Sequence, residues 1–202
     1  MITEYEKRLR VISCILISGS FAVTSPSVKI FFMGQVSQQV LAFSNLVCIG
    51  LVALTSGLME NKDTVRTLRR KWFALFTVTD AFLYGVLSLA GFFIDPAIRF
   101  VGLAIAESLF TMTGSMLIND AVNVILSGSN LTSFQSKMTK VSNWAGFVAL
   151  SVFMLIDISI DVEFAIVAQF ITLAVVSVME ILFVRSINGR ESEEMTNTEE
   201  EG

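Results

Sequence analysis

Apolar residues fall in six runs along the chain, each close to the length needed to cross a hydrocarbon core of roughly 30 Å, with polar residues gathered between them. The pattern predicts helical spans over 9–31, 38–59, 72–93, 98–118, 142–156 (extended by a turn at either end) and 162–184. The connections are then 34–37, 60–71, 95–97, 119–141 and 157–161, and part of 119–141 is expected to continue the fourth helix and begin the fifth. No period-two alternation of about ten residues recurs, as an outer-membrane barrel would require, which leaves helices as the spanning structure. The fold class is an all-α integral membrane protein, a bundle of six transmembrane helices. Residues 1–187 form the membrane domain and 188–202 an acidic, disordered tail.

Composition strengthens this picture. With 53% hydrophobic and 16% charged residues and a mean hydropathy of +0.71, a soluble domain would carry more apolar surface than it could bury, so lipid must solvate most of it. The net charge of −4 belongs to the tail, where six glutamates face one arginine; the remainder holds thirteen basic and twelve acidic residues. No basic patch suggests nucleic acid. Cys14 and Cys48 lie inside apolar runs, too few for a disulfide framework or metal cluster. The absence of histidine removes the commonest general base and metal ligand, and no cofactor is implied. The charged stretch 1–10 leads into the first run without a small-residue cleavage site, as a retained signal anchor would.

Charge also orients the chain. Twelve basic residues fall on one side of the alternating path: Lys7, Arg8, Arg10, Lys62, Arg66, Arg69, Arg70, Lys71, Lys137, Lys140, Arg185 and Arg190. Only Lys29 and Arg99 fall on the other. The positive-inside bias makes the first side cytoplasmic, with both termini there. The outer turn at 157–163 carries three acids and no base, while the sequon at Asn130 falls on the inner side.

Two carboxylates, Asp80 and Glu107, lie about 12 Å from opposite faces and so near mid-depth. A charge there costs at least about 2.5 kcal/mol unless paired, protonated or hydrated. Asp80 shares a face with Thr77, Tyr84, Ser88 and Gly91, and Glu107 with Ala104, Thr111 and Gly114. Similar stripes run along the first span (Ser13, Ser20, Thr24), the second (Gln38, Asn45, Cys48, Thr55) and the sixth (Gln169, Thr172, Glu180). Such stripes either line a wet cavity or bond helix to helix, with Ala53-xxx-Gly57 and Gly102-xxx-Ala106 allowing close approach. Asp80, Glu107, Thr77, Tyr84, Thr111 and Asn45 are the candidate solute and proton pathway. Asp120 and Glu180, nearer the cytoplasmic interface, are expected to pair with the basic second connection.

Gly57-Leu58-Met59-Glu60-Asn61-Lys62, followed by Arg66, Arg69, Arg70 and Lys71, is similar to the basic loop motif between helices two and three of the major facilitator superfamily. The six-helix layout resembles the amino-terminal half of that family. Asn61 and Lys62 stand where the family has an acid and an arginine, and the fourth span lacks a mid-helix arginine. The resemblance implies a cytoplasmic gate of Gly57, Asn61, Lys62, Arg66 and Asp120, with Asp120 meeting Lys62 or Arg66. Full members have two six-helix bundles around one site, so a chain of this size would need a second copy or a sister half.

The expected function is therefore a half-size secondary transporter, moving a small solute as a homodimer in the plasma membrane, with proton coupling through Asp80 or Glu107. The competing class is a non-transporting accessory or immunity-type protein that binds another membrane protein. An enzyme is not expected: no histidine or mid-depth lysine stands ready to activate a serine, and the Gly-x-Gly-Asp pattern of intramembrane aspartyl proteases is missing. The charge bias predicts that alkaline phosphatase fused after Gly202 is inactive in a bacterial host and the same reporter inserted at 95–97 is active; the reverse result inverts the orientation.

Overall fold

A computed structural model describes residues 2–91, 93–156 and 161–200, and among them there is no strand. The helices are α1 (Glu4–Met33), α2 (Gln38–Met59), α3 (Lys62–Thr67), α4 (Phe73–Leu89), α5 (Pro96–Ile125), α6 (Gly128–Ile156) and α7 (Val162–Glu200), with a π-helical segment, Leu68–Trp72, joining α3 to α4. Six helical stretches are long and apolar enough to cross a membrane, α3 and α4 counting as one. The chain is a multi-pass membrane protein.

Local chemistry sets the helix starts. Thr3 and Glu6 form a reciprocal capping box on α1, and Ser37 and Asn61 cap α2 and α3 through their side chains. Asp95 accepts from the Ala97 and Ile98 amides while Pro96 occupies the first turn of α5, where its missing N–H costs nothing. Gly128 opens α6 with a φ of +57°, a conformation that suits glycine.

Three expectations change. The second connection is mostly helical, because α3 and the π segment run into α4. The fourth connection shrinks to the few residues between α5 and α6, both helices being extended as anticipated. The tail expected to be disordered from Asn188 instead continues α7 to Glu200, and Glu191 within it is buried. Of the acidic outer turn, residues 157–160 lie outside the described residues, as do 201–202.

The principal neighbours follow a simple rule. α1 packs on α6 and α7, α5 packs on α2 and α4, and α4 packs on α7. Exchanging the first three spans with the last three leaves this list unchanged. The core lies in α4, α5 and α7, as one cluster around Tyr84, Leu103, Ala106 and Leu173 and another around Phe73, Leu117, Ala121 and Phe183. Gly102 lets Leu87 of α4 approach, since a Cβ there would lie 2.8 Å from Leu87 Cδ1. Gly57 has open space around it and Ala53 is exposed, so that pair joins nothing. Helices α2 and α6 are peripheral, with Phe43, Leu46, Ile49, Trp144, Phe147 and Leu155 turned outward as lipid-facing residues.

Buried arginines close both ends of the α4–α5–α7 core. At the end carrying the termini, Arg69 of the π segment is 1% exposed. It donates to Asp120 of α5 at 2.7 Å, to Glu191 of α7 at 2.8 Å and to Asn188 of α7. Glu191 also receives Arg66 and Arg70, and Glu6 of α1 receives Arg190 and Ser186 of α7. At the far end Arg99 of α5, 2% exposed, donates to the Leu87 and Ser88 carbonyls at the C-terminus of α4 and forks onto Glu163 of α7 at 2.5 Å. Gly91 makes room for that guanidinium, because a Cβ there would sit 2.2 Å from Arg99 Cζ.

Removing one partner from such a network strands the others. Arg69→Ala should cost about 3–5 kcal/mol, measured by unfolding in detergent. Arg69→Lys should lose less, keeping the charge without the planar fork; an unchanged midpoint in Arg69→Ala would show that the network stabilises nothing.

Candidate functional site

Two cavities flank the line where α1 and α5 face each other. The far cavity, about 350 Å³, lies between α1, α2, α4 and α5, and four predicted residues converge on it: Asn45, Tyr84, Glu107 and Thr111. The Glu107 carboxylate accepts from Ser25 of α1 at 2.8 Å, and Lys29, one helical turn beyond Ser25, also reaches the cavity. Tyr84 is 2% exposed. Cys48 carries little bonding, receiving Ser108 Oγ at 3.1 Å and lying 3.7 Å from the Ala104 carbonyl. It and Cys14 are free thiols.

The near cavity, about 600 Å³, lies between α1, α5, α6 and α7 toward the termini. Arg10, Asn119, Gln135, Ser142 and Glu180 supply its polar wall, and Thr111 lines both cavities. The exchange that preserves the helix neighbours also turns the set of helices around one cavity into the set around the other. Each cavity holds one glutamate and one cation supplied by α1.

Asp80 and Thr77 do not join the far cavity. Both are buried and neither lines it, although Tyr84, one helical turn beyond Asp80, does; Ser177 of α7 donates to the Thr77 carbonyl at 3.5 Å. No hydrogen bond or ion pair reaches the Asp80 carboxylate among the described residues.

The polar stripes of the first and sixth spans face each other and bond. Ser20 and Thr24 donate to Gln169 Oε1, and Arg10 donates to Glu180 at 3.1 Å. Glu180 therefore pairs with the amino-terminal arm rather than with the second connection. The fifth span lacks a polar stripe but approaches α1 through small groups, with Ser18 and Ser142 hydroxyls 2.6 Å apart and Gly19 beside Ala149.

The expected gate is redistributed. Asp120 meets Arg69 rather than Lys62 or Arg66, and Arg66 meets Glu191. Asn61 caps α3, while Gly57 and Lys62 are exposed. Sequence reasoning missed Ser25, Lys29, Arg10 and Asn119 as cavity residues. Ser25 and Lys29 carry a weak signal, standing four apart on one helical face beside the Ser20–Thr24 stripe. No group of three His, Cys, Asp and Glu side chains that could hold a metal forms among the described residues.

No family model, curated protein or solved structure matches the chain. Asp80 is buried with no bonding partner among the described residues, so Asp80→Asn should raise stability by on the order of 1–3 kcal/mol, read from the unfolding midpoint in detergent. A loss of stability would show that the carboxylate has a partner in the membrane.

Proposed function

We propose that the chain is a half-size secondary carrier for a small polar solute, working as a parallel pair of copies in the plasma membrane with both ends cytoplasmic. The observation that carries this is that Thr111 lines both cavities, so that polar groups stand on the far and the near side of one hydroxyl. Glu107 is the proton-carrying group on that route; Ser25 is its hydrogen-bond partner among the described residues. The exchange rule among the helix neighbours adds support, since a three-plus-three inverted repeat produces that arrangement and underlies each half of a major facilitator carrier.

The charge-closed core of α4, α5 and α7 favours rocking of a whole bundle over bending within it. In a carrier of this kind each six-helix unit moves largely as a rigid body against its partner. The gate then consists of Arg66, Arg69, Asp120 and Glu191, with Asn61 and Lys62 beside them. Rigidity is also what a non-transporting accessory would need to present a fixed surface, so flux separates the two readings.

Purified protein in proteoliposomes with an internal pH dye, given pooled amino acids, sugars and organic amines, should show solute-dependent proton movement. Glu107→Gln should reduce that movement at least tenfold while Asp80→Asn leaves it near wild type. No solute-dependent movement by the wild-type protein would favour the accessory reading, and undiminished movement in Glu107→Gln would remove the far cavity from the mechanism.

A further inference from the structure

The near cavity contains an unanswered hydrogen-bonding group. Glu180 is 4% exposed; its Oε1 takes Arg10 Nη1 at 3.1 Å, but its Oε2 is buried without a partner among the described residues. A buried carboxylate oxygen left unbonded is costly. The oxygen lies over Gly114, where an added Cβ would come within 3.4 Å, and both residues line the cavity. A glycine at this point on α5 leaves room beside Oε2 that a larger side chain would fill.

Arg10 is equally underused. Only its Nη1 is engaged, with Glu180 and with Ser13 Oγ at 3.4 Å, leaving donors on Nε and Nη2. Within the breadth of one ion pair the cavity therefore offers a free acceptor on an anion and free donors on a cation. The pair is neutral as a unit, so a purely cationic ligand would meet Arg10 as a repulsive neighbour and a purely anionic one would meet Glu180. A zwitterion answers both groups and leaves the net charge unchanged. Beyond the pair the wall is mixed, with Phe21, Phe110, Phe134 and Met138 set among hydroxyls and the Asn119 and Gln135 amides, and the aromatic groups give an apolar substituent a place next to the charged groups.

We infer that the near cavity binds a small zwitterion, a protonated amine and a carboxylate on one compact apolar body, with the amine on Glu180 Oε2 and the carboxylate on Arg10. The site is distinct from Glu107, and its occupancy does not depend on whether the chain transports.

The test is equilibrium binding to the full chain in lipid nanodiscs, read by radioligand retention and by the shift in unfolding midpoint. The probes are leucine and phenylalanine, beside 3-methylbutylamine and 4-methylpentanoate, which carry leucine's amine or carboxylate alone. At least one amino acid should bind, and the single-charge analogues should bind at least tenfold more weakly. Glu180→Gln and Arg10→Gln should each weaken binding at least tenfold, while Gly50→Ala, at a position with open space around it, should leave it unchanged. Should a charge variant fail to fold, Gly114→Val decides, since it fills the space over Oε2 and leaves both charges in place; it too should weaken binding at least tenfold. The inference is overturned if neither amino acid binds, if an amine or acid alone binds as well as leucine, or if binding survives Glu180→Gln or Gly114→Val. Flux lost in Glu107→Gln with binding intact would show that binding here stands without the proton-carrying group.

Discussion

Helices already in lipid gain little from burying apolar surface against one another, because hydrocarbon tails solvate leucine as well as another helix does. What fixes their arrangement is the requirement that any charge drawn into the bundle find its opposite there. Arg69 and Arg99 impose that requirement at the two ends of the same three spans. Each guanidinium is buried and reaches two other helices, so α4, α5 and α7 are located by directional bonds as well as by packing. Glu6 and Arg10 attach α1 to α7 in the same manner.

The remaining two spans are held differently, and the cavities occur beside them. Helix α2 leans on α5 through sulfur contacts at Cys48 and a Thr55 hydroxyl 3.8 Å from Met112 Sδ, and α6 leans on α1 through serines and small side chains. Neither contributes a charge pair among the described residues. The charge-tied core and its weakly tied flanks give each cavity one firm wall and one wall held by weak contacts. A polar group facing such a space, as Glu107 does, is spared the full cost of burial.

Much of the architecture was legible along the chain because lipid imposes a length and a polarity on every crossing. The second span was read to its last residue, since Ser37 marks its start and polar residues follow its end. A boundary failed where helix continues past the apolar run: 62–71 is polar enough to read as loop, yet nothing in it breaks a helix, whereas the extension of helix into 119–141 was expected. The tail failed for another reason. Its glutamates suggest a solvated segment, and only the three-dimensional placement of Arg66, Arg69 and Arg70 gives Glu191 a reason to be buried. Within the site, periodicity correctly grouped Tyr84 with Asp80 on one helix and Thr111 with Glu107 on another. It could not tell which part of a broad polar face meets a neighbour and which meets a void, so it passed over Ser25 and Arg10.

Helix α7 spans 39 residues, about 58 Å at 1.5 Å per residue, nearly twice the thickness of a bilayer's hydrocarbon core. Because Glu191 lies in the last third of that length and is bonded to the buried Arg69, any tilt of α7 in the bilayer is transmitted to the π segment that joins α3 to α4.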